Sequence, residues 1–289
     1  MSWIGCPFPR FQYYTNAMST TPTSLCSSIP NFRDLASKSI LDVPENSLDS
    51  PNTAGPMLKP GVLFRSGNLK KLSRADKNTL RSLGLRSIAD FRSEYETSRE
   101  PDKLIPGVVY KNYPMESGGP DVRDQVIRFL RGKEDMDFEG FMEAMNRDFV
   151  TTYSKDFGTW LRDLAEGRLE LPSLFHCTAG KDRTGFATAV LMTLLGFPWD
   201  EVVNEYLRSS VYIQQMFKKL DRRVKLYSRF RRSGKELLPL LDVQPEYLEA
   251  GFEEIARGWG SFQEYVLDPK GLGLSLDHMD RLKTLLLVE

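Results

Sequence analysis

The chain has 289 residues, and its 39 Lys and Arg balance 39 Asp and Glu, which argues against a dedicated nucleic-acid binder. Hydrophobic residues make up 40%, enough at this length for an ordinary core without staples, whether in one domain or two. Three cysteines make no disulfide framework, no apolar run reaches the roughly 18 residues of a membrane helix, and the first residues lack the apolar centre of a secretory signal; the expectation is a cytoplasmic protein.

Residues 1–28 are rich in Ser, Thr and Pro and contain no acid. They predict a disordered tail, with Cys6 and Cys26 as tail thiols, and a folded domain over 29–289. The chain changes character at Asn31, where NFRDL opens 31–35; Arg33 and Asp34 fit a surface ion pair or a support for a site. A loop rich in Pro, Ser and Asn runs to Pro60. Val62–Arg65 then predicts a short buried strand. Ser73 predicts a helix N-cap with Asp76 as capping-box partner, and Gly84 closes that helix. Arg86–Asp90 predicts a second strand. It delivers Asp90 and Arg92 to its C-terminal end, the edge where open α/β sheets bind ligands, although a strand-end acid could equally cap the helix starting near Ser93. Val108–Tyr113 predicts a third strand stopped by Pro114. Residues 115–136 are polar, then helical in pattern. From Asp137 to Leu164, residues such as Phe138, Met142, Phe149, Phe157 and Trp160 recur near helical spacing and predict core.

A strand over Leu171–Phe175 leads into LFHCTAGKDRTG, residues 174–185. Cys177 follows an apolar run, Gly180 sits mid-loop, and Arg183 opens a helical pattern. The first amides of a helix have no intrahelical partner, and the dipole adds partial positive charge, so a tetrahedral dianion fits there. An arginine can fork two phosphate oxygens, which a lysine cannot. The same field favours thiolate over thiol, so Cys177 is expected to be an ionised nucleophile. The following helix is apolar nearly all round and therefore buried; Gly196 ends it, and Val202, Val203, Tyr206 and Leu207 mark the next. Residues 218–235 form one basic cluster, either a solvated helix face or an attraction to anionic lipid or acidic protein. Helices are expected around Pro245–Arg257 and Leu276–Leu287. His176 and His278 are the two histidines, which excludes a His-rich metal site; no metal or other cofactor is expected.

HCTAGKDRTG resembles the H-C-x5-R-[ST] signature loop of cysteine-dependent phosphatases. In its fuller GKDRTG form it is similar to a subgroup of atypical tyrosine phosphatases, found largely in bacteria and fungi, that act on phosphotyrosine and in several members on phosphoinositides. NFRDL, LFRSGNL (63–69) and Asp90-Phe91-Arg92 extend the resemblance, although Ala36 and Ser37 stand where the subgroup has a glycine pair. The resemblance implies an α/β three-layer fold, a mostly parallel sheet flanked by helices, with a helical insertion at 115–150 that could act as a lid and a helical C-terminal part. It implies two-step hydrolysis with Cys177 as nucleophile, Arg183 stabilising the transition state, and Asp182 as general acid, with Asp90 as runner-up. Thr178, Ala179, Gly180, Lys181 and Thr184, with Asp90 and Arg92, are the expected substrate-binding set. His176 and Asn31 are expected supports, and Lys181 would suit a polyphosphorylated inositol ring or be a solvated loop lysine. The expected partners are a phosphotyrosine protein or phosphoinositide and, through 218–235, an anionic membrane, with no nucleic acid. The alternative is a catalytically weak phosphate-binding module; such versions usually lose the Cys or the Arg, and both are present.

Overall fold

The computed structural model describes residues 25–37, 55–116 and 122–289. Of the tail expected over 1–28, residues 1–24 lie outside them, as do 38–54 of the Pro60 loop and 117–121 of the expected lid. Five strands form one sheet in the order β1-β2-β5-β3-β4. They are β1 (Arg33–Asp34), β2 (Leu63–Ser66), β3 (Ser87–Arg92), β4 (Val109–Met115) and β5 (Ser173–His176). β1 is antiparallel to β2, and the other neighbours are parallel. Parallel strands are covered on both faces, so alternate residues serve two cores. Phe64, Ile88 and Leu174 face one core with Cys26, Phe32, Leu72 and Leu80. Leu63, Ala89, Phe91 and Phe175 face the larger one with Phe157, Trp160 and Phe186. The result is a three-layer α/β fold with β5 at the middle of the sheet.

The helices are α1 (Arg74–Ser82), α2 (Glu94–Arg99), α3 (Val122–Leu130), α4 (Phe138–Thr151), α5 (Ser154–Ala165), α6 (Asp182–Leu195), α7 (Trp199–Leu207), α8 (Ser209–Tyr227), α9 (Leu238–Leu241), α10 (Pro245–Trp259), α11 (Phe262–Leu267) and α12 (Leu276–Leu286). α6 is buried from Arg183 through Met192 and ends at left-handed Gly196, as its apolar pattern and terminal glycine require.

The structure departs from the sequence expectations in several places. β4 runs through Pro114 to Met115; it is an edge strand, where a missing ladder donor costs little. The amphipathic stretch 137–164 breaks at Thr152 and Tyr153 into α4 and α5, beside the β-branched run Val150-Thr151-Thr152. Within the span 115–150, α4 buries Met142, Met145, Phe149 and Val150 in the larger core, and α3 joins a satellite cluster of Phe129, Phe138, Val224 and Leu237. Cys26 is wholly buried rather than a tail thiol, and burial, with Asp76, pushes its thiol up to about 12. Ser73 does cap α1, but the Asp76 carboxylate turns away from its capping-box role and accepts the amide of Ser28 at 2.7 Å and its hydroxyl.

Candidate active site

β5 ends at His176, and the loop from Cys177 to Lys181 turns directly into α6, whose N-terminus no side chain caps. The loop lies against the end of β2. Gly180 has φ +72°, and a Cβ there would sit 2.4 Å from the carbonyl carbon and oxygen of Ser66, so only glycine fits. Two loop carbonyls are tied to the scaffold. Thr178 O accepts the backbone amide of Asn68 at 3.1 Å and its side-chain Nδ2 at 2.9 Å. Gly180 O accepts Asn31 Nδ2 at 2.8 Å and Arg65 Nη2 at 2.9 Å. In a trans peptide the N–H points opposite to the carbonyl. The amides of Ala179 and Lys181 therefore point away from the scaffold, forming with the α6 N-terminus a cradle for an anion.

Cys177 opens this loop, 2% exposed. Its charge would act on both Arg65 and Arg183. Arg183 is clamped by Glu96: Nη1 donates to Oε2 at 2.6 Å and Nη2 to Oε1 at 2.9 Å. Nη1 also donates to the carbonyl of Met115 at 2.8 Å. That leaves Nε and the second proton of Nη2, the side edge of the guanidinium, for two oxygens of a ligand. Burial works against the charge on Glu96, but the Arg183 fork outweighs it and holds the carboxyl down at about 2. The same carboxylate accepts the Thr178 hydroxyl and the Ser93 amide. Glu96 thus joins the loop, its arginine and the N-terminus of α2. Sequence reasoning missed it, although the S-x-x-E spacing from Ser93 is a readable capping box. Thr184 Oγ1 is buried without a protein partner among the described residues, a spare hydroxyl on the first turn of α6.

Behind the loop, Asp90 and Arg92 lie elsewhere than expected. Both are fully buried. Arg92 Nε donates to both Asp90 oxygens at 3.0 Å, and Nη2 lies 2.6 Å from Asp90 Oδ2 and 2.8 Å from Asp102 Oδ2. Tyr110 donates its hydroxyl to Asp90 at 2.7 Å. The Asp90 oxygens are thus spent on Arg92 and Tyr110, and the Arg92 guanidinium on Asp90, Asp102 and the Glu100 carbonyl. What they hold is His176, whose Nε2 lies 3.0 Å from Asp102 Oδ2 and whose Nδ1 lies 3.7 Å from Asp90 Oδ1 and 3.2 Å from the Cys177 carbonyl. Burial favours the neutral imidazole, but Asp90 and Asp102 outweigh it and raise the pKa. For Asp90, burial is outweighed by His176 and Arg92, and its pKa is lowered. Asp90, Asp102, Arg92 and His176 form one buried, mutually paired group behind the nucleophile. Asp90, Asp102 and His176 could in principle ligate a cation, but the Arg92 guanidinium already occupies the space between the carboxylates, so the group does not fit a metal.

A second buried network braces the other side. Arg33 Nε donates to Glu205 Oε1 at 2.8 Å, Arg65 Nη1 to the same oxygen at 3.2 Å, and Arg208 Nη1 to Oε2 at 2.7 Å. Arg33 Nη1 also donates to Asn31 Oδ1 at 2.6 Å, fixing the amide that holds Gly180. Arg33 is thereby a support rather than a surface ion pair. Lys181 departs from expectation: it is 7% exposed, and its Nζ donates to the carbonyls of Leu240 at 2.9 Å and Asp242 at 3.2 Å. It fastens the loop to the C-terminal helices and is not presented to an inositol ring. Asp182 lies 3.1 Å from Lys181 Nζ on the first turn of α6 and keeps some exposure, which Asp90 lacks.

The model of the tyrosine phosphatase family matches residues 25–288. A protein of Cupriavidus necator named as a tyrosine-protein phosphatase is 32% identical over 245 residues, 84% of this chain and 86% of that protein. The triple specificity protein phosphatase PtpB of Mycobacterium tuberculosis is 30% identical over 265 residues, 80% of this chain and 92% of its own. Among solved structures, TpbA of P. aeruginosa aligns with a TM-score of 0.31 and 16% identity, over 62% of this chain and 85% of that one.

Proposed function

This chain belongs to the tyrosine phosphatase family, and from that premise we propose that it hydrolyses phosphomonoesters through a phosphocysteine formed on Cys177. The observation that carries the reading is the Glu96 clamp, which leaves one edge of Arg183 for two phosphate oxygens beside a cysteine in a ring of outward-bonded carbonyls. In the first step the Cys177 thiolate attacks phosphorus in line. The S–P bond forms as the P–O bond to the leaving group breaks, and Asp182 gives its proton to the departing oxygen. Arg183 and the amides of Ala179 and Lys181 stabilise the equatorial oxygens. In the second step water attacks phosphorus, the Asp182 carboxylate takes its proton, and the thiolate departs, accepting the spare Thr184 hydroxyl. His176 acts through the loop, not on the substrate.

Phosphotyrosine protein is the substrate class the family supports first. A relative named for triple specificity supports a broader range of substrates, and the resemblance of the GKDRTG loop is the ground for including phosphoinositides among them. A phosphoinositide lies in a membrane surface, and the basic stretch 218–235 is the part of this chain suited to meet one. No helix among the described residues is long and apolar enough to cross a membrane. A catalytic thiol needs reducing surroundings, which is the ground for placing the enzyme in the cytoplasm.

The test is hydrolysis of para-nitrophenyl phosphate. Wild type is expected to turn over, Cys177→Ser to lose at least about 10³-fold in kcat, and a phosphoryl group to be trapped on Cys177 by acid quench. A Cys177→Ser variant that keeps wild-type turnover overturns the mechanism.

A further inference from the structure

The basic cluster 218–235 divides in the structure into two parts with different work. Lys225 pairs with Asp221 at 2.7 Å. Arg232 pairs with Asp135 at 2.7 Å and Glu236 at 3.0 Å and lies 4.1 Å over the Phe129 ring. Lys225 is thus paired along α8, and Arg232 ties the end of α8 to the satellite cluster. By contrast, Arg222, Arg223 and Arg229 are exposed and make no ion pair among the described residues, and exposed Arg231 has a long contact to the Arg131 carbonyl at 3.5 Å. Between these arginines stand three large apolar side chains in the open: Leu226 is 60% exposed, Tyr227 54% and Phe230 76%.

The end of α8 is built so as to put Phe230 there. Arg229 and Phe230 have φ of +53° and +61°, a backbone region that bulky residues avoid. Phe230 N donates to the Lys225 carbonyl and Arg229 N to the Leu226 carbonyl, at 2.6 and 3.2 Å, closing α8 with an αL turn. In such an ending the apolar residue after the turn commonly packs back on the helix. Here it is exposed, four residues or fewer along the chain from exposed Leu226 and Tyr227.

Deepening the membrane contact in the proposed function, we propose that this tip, Leu226, Tyr227 and Phe230 ringed by Arg222, Arg223, Arg229 and Arg231, docks on the interface of an anionic lipid bilayer. Charge and shape both favour that occupant. The chain is neutral overall, so the tip is a local cation excess and not a general basicity. A bilayer interface takes an aromatic and aliphatic tip into its acyl boundary while guanidinium groups meet lipid phosphates. An acidic protein surface would neutralise the arginines but leave three apolar side chains unplaced.

The experiment is co-sedimentation of the full chain with vesicles of phosphatidylcholine alone and of an equimolar mixture with phosphatidylserine. Folding is monitored by thermal melting, and turnover is not needed for the readout. Wild type and Cys177→Ser are both expected to pellet with the mixed vesicles, about ten-fold more than with phosphatidylcholine alone, and less as salt is raised. The variants L226S/F230S and R222E/R223E are each expected to lose at least about five-fold of that binding while melting like wild type. The proposal is overturned if wild type stays in the supernatant with mixed vesicles, or if folded L226S/F230S binds as well as wild type. It is equally overturned if immobilised polyglutamate retains the protein while vesicles do not, since the surface would then serve an acidic protein. A failed phosphatase assay leaves this result untouched, and a failed sedimentation leaves the phosphocysteine mechanism untouched.

Discussion

Glu96 carries more of the candidate site than any residue outside the signature loop. One carboxylate closes the α2 capping box, accepts Thr178 and forks Arg183. Glu96→Gln keeps the shape but removes the charge-assisted fork, so kcat/KM for para-nitrophenyl phosphate is expected to fall about 10–100-fold, the equivalent of one such hydrogen bond to a charged group; steady-state kinetics with unchanged parameters would remove Glu96 from the site. Asp182 makes a different prediction. An acid matters most where the leaving group is poor, so Asp182→Asn is expected to slow an alkyl phosphate by about 10²–10⁴-fold and an aryl phosphate with a good leaving group far less. Equal losses on both would rule Asp182 out as the acid.

Between β5 and α6 the loop is held by its neighbours, not by its own sequence. Its carbonyls are fastened by Asn68 after β2 and by Asn31 and Arg65 around β1 and β2, and its midpoint touches the Ser66 carbonyl. Gly180→Ala would bring a methyl group into that carbonyl at a positive φ. It is expected to cost about 1–3 kcal/mol of stability, seen in denaturant unfolding, and to abolish turnover by tilting the amides. Wild-type kcat in Gly180→Ala would show that the cradle tolerates another shape. Lys181 adds to that fastening from the far end of the loop, its side chain donating to the carbonyls of Leu240 and Asp242.

Across the molecule, buried charge flanks the loop on both sides, and its titration sets how stability follows pH. Glu96 and Asp90 have lowered pKa values for the reasons given above. Burial opposes the charge on Glu205 too, but Arg33, Arg208 and Arg65 outweigh it and lower its pKa. Each carboxylate therefore contributes stability that is present above its unfolded pKa of about 4 and is lost as pH falls towards the folded value. His176 is raised, so its contribution is full below an unfolded pKa of about 6.5 and is lost as pH rises through the folded value. Melting temperature is expected to fall steeply on acidification below about pH 4, and Glu205→Gln is expected to lower it already at neutral pH because three arginines are left around an uncharged amide. Calorimetry across pH checks both; a flat profile from neutral to strongly acid pH would mean these networks do not couple to folding.

The amino-acid sequence by itself determined the strand-loop-helix frame of residues 174–185, the buried α6 and the α/β layering, because these are written in local signals: short apolar runs, terminal glycines and a helix apolar all round. Asn31, Asp90, Arg92 and Lys181 were also visible as polar residues at element ends, but not what they would face. Which carboxylate meets which cation is decided only when residues 87 positions apart, as Glu96 and Arg183, or 140 apart, as Arg65 and Glu205, are brought together by sheet order. Placing β5 between β2 and β3 turned Asp90 inward against His176 and put Glu96 over the loop. No periodicity or spacing within one element encodes such a choice, because the energy that makes it belongs to pairs of buried charges and not to either residue alone.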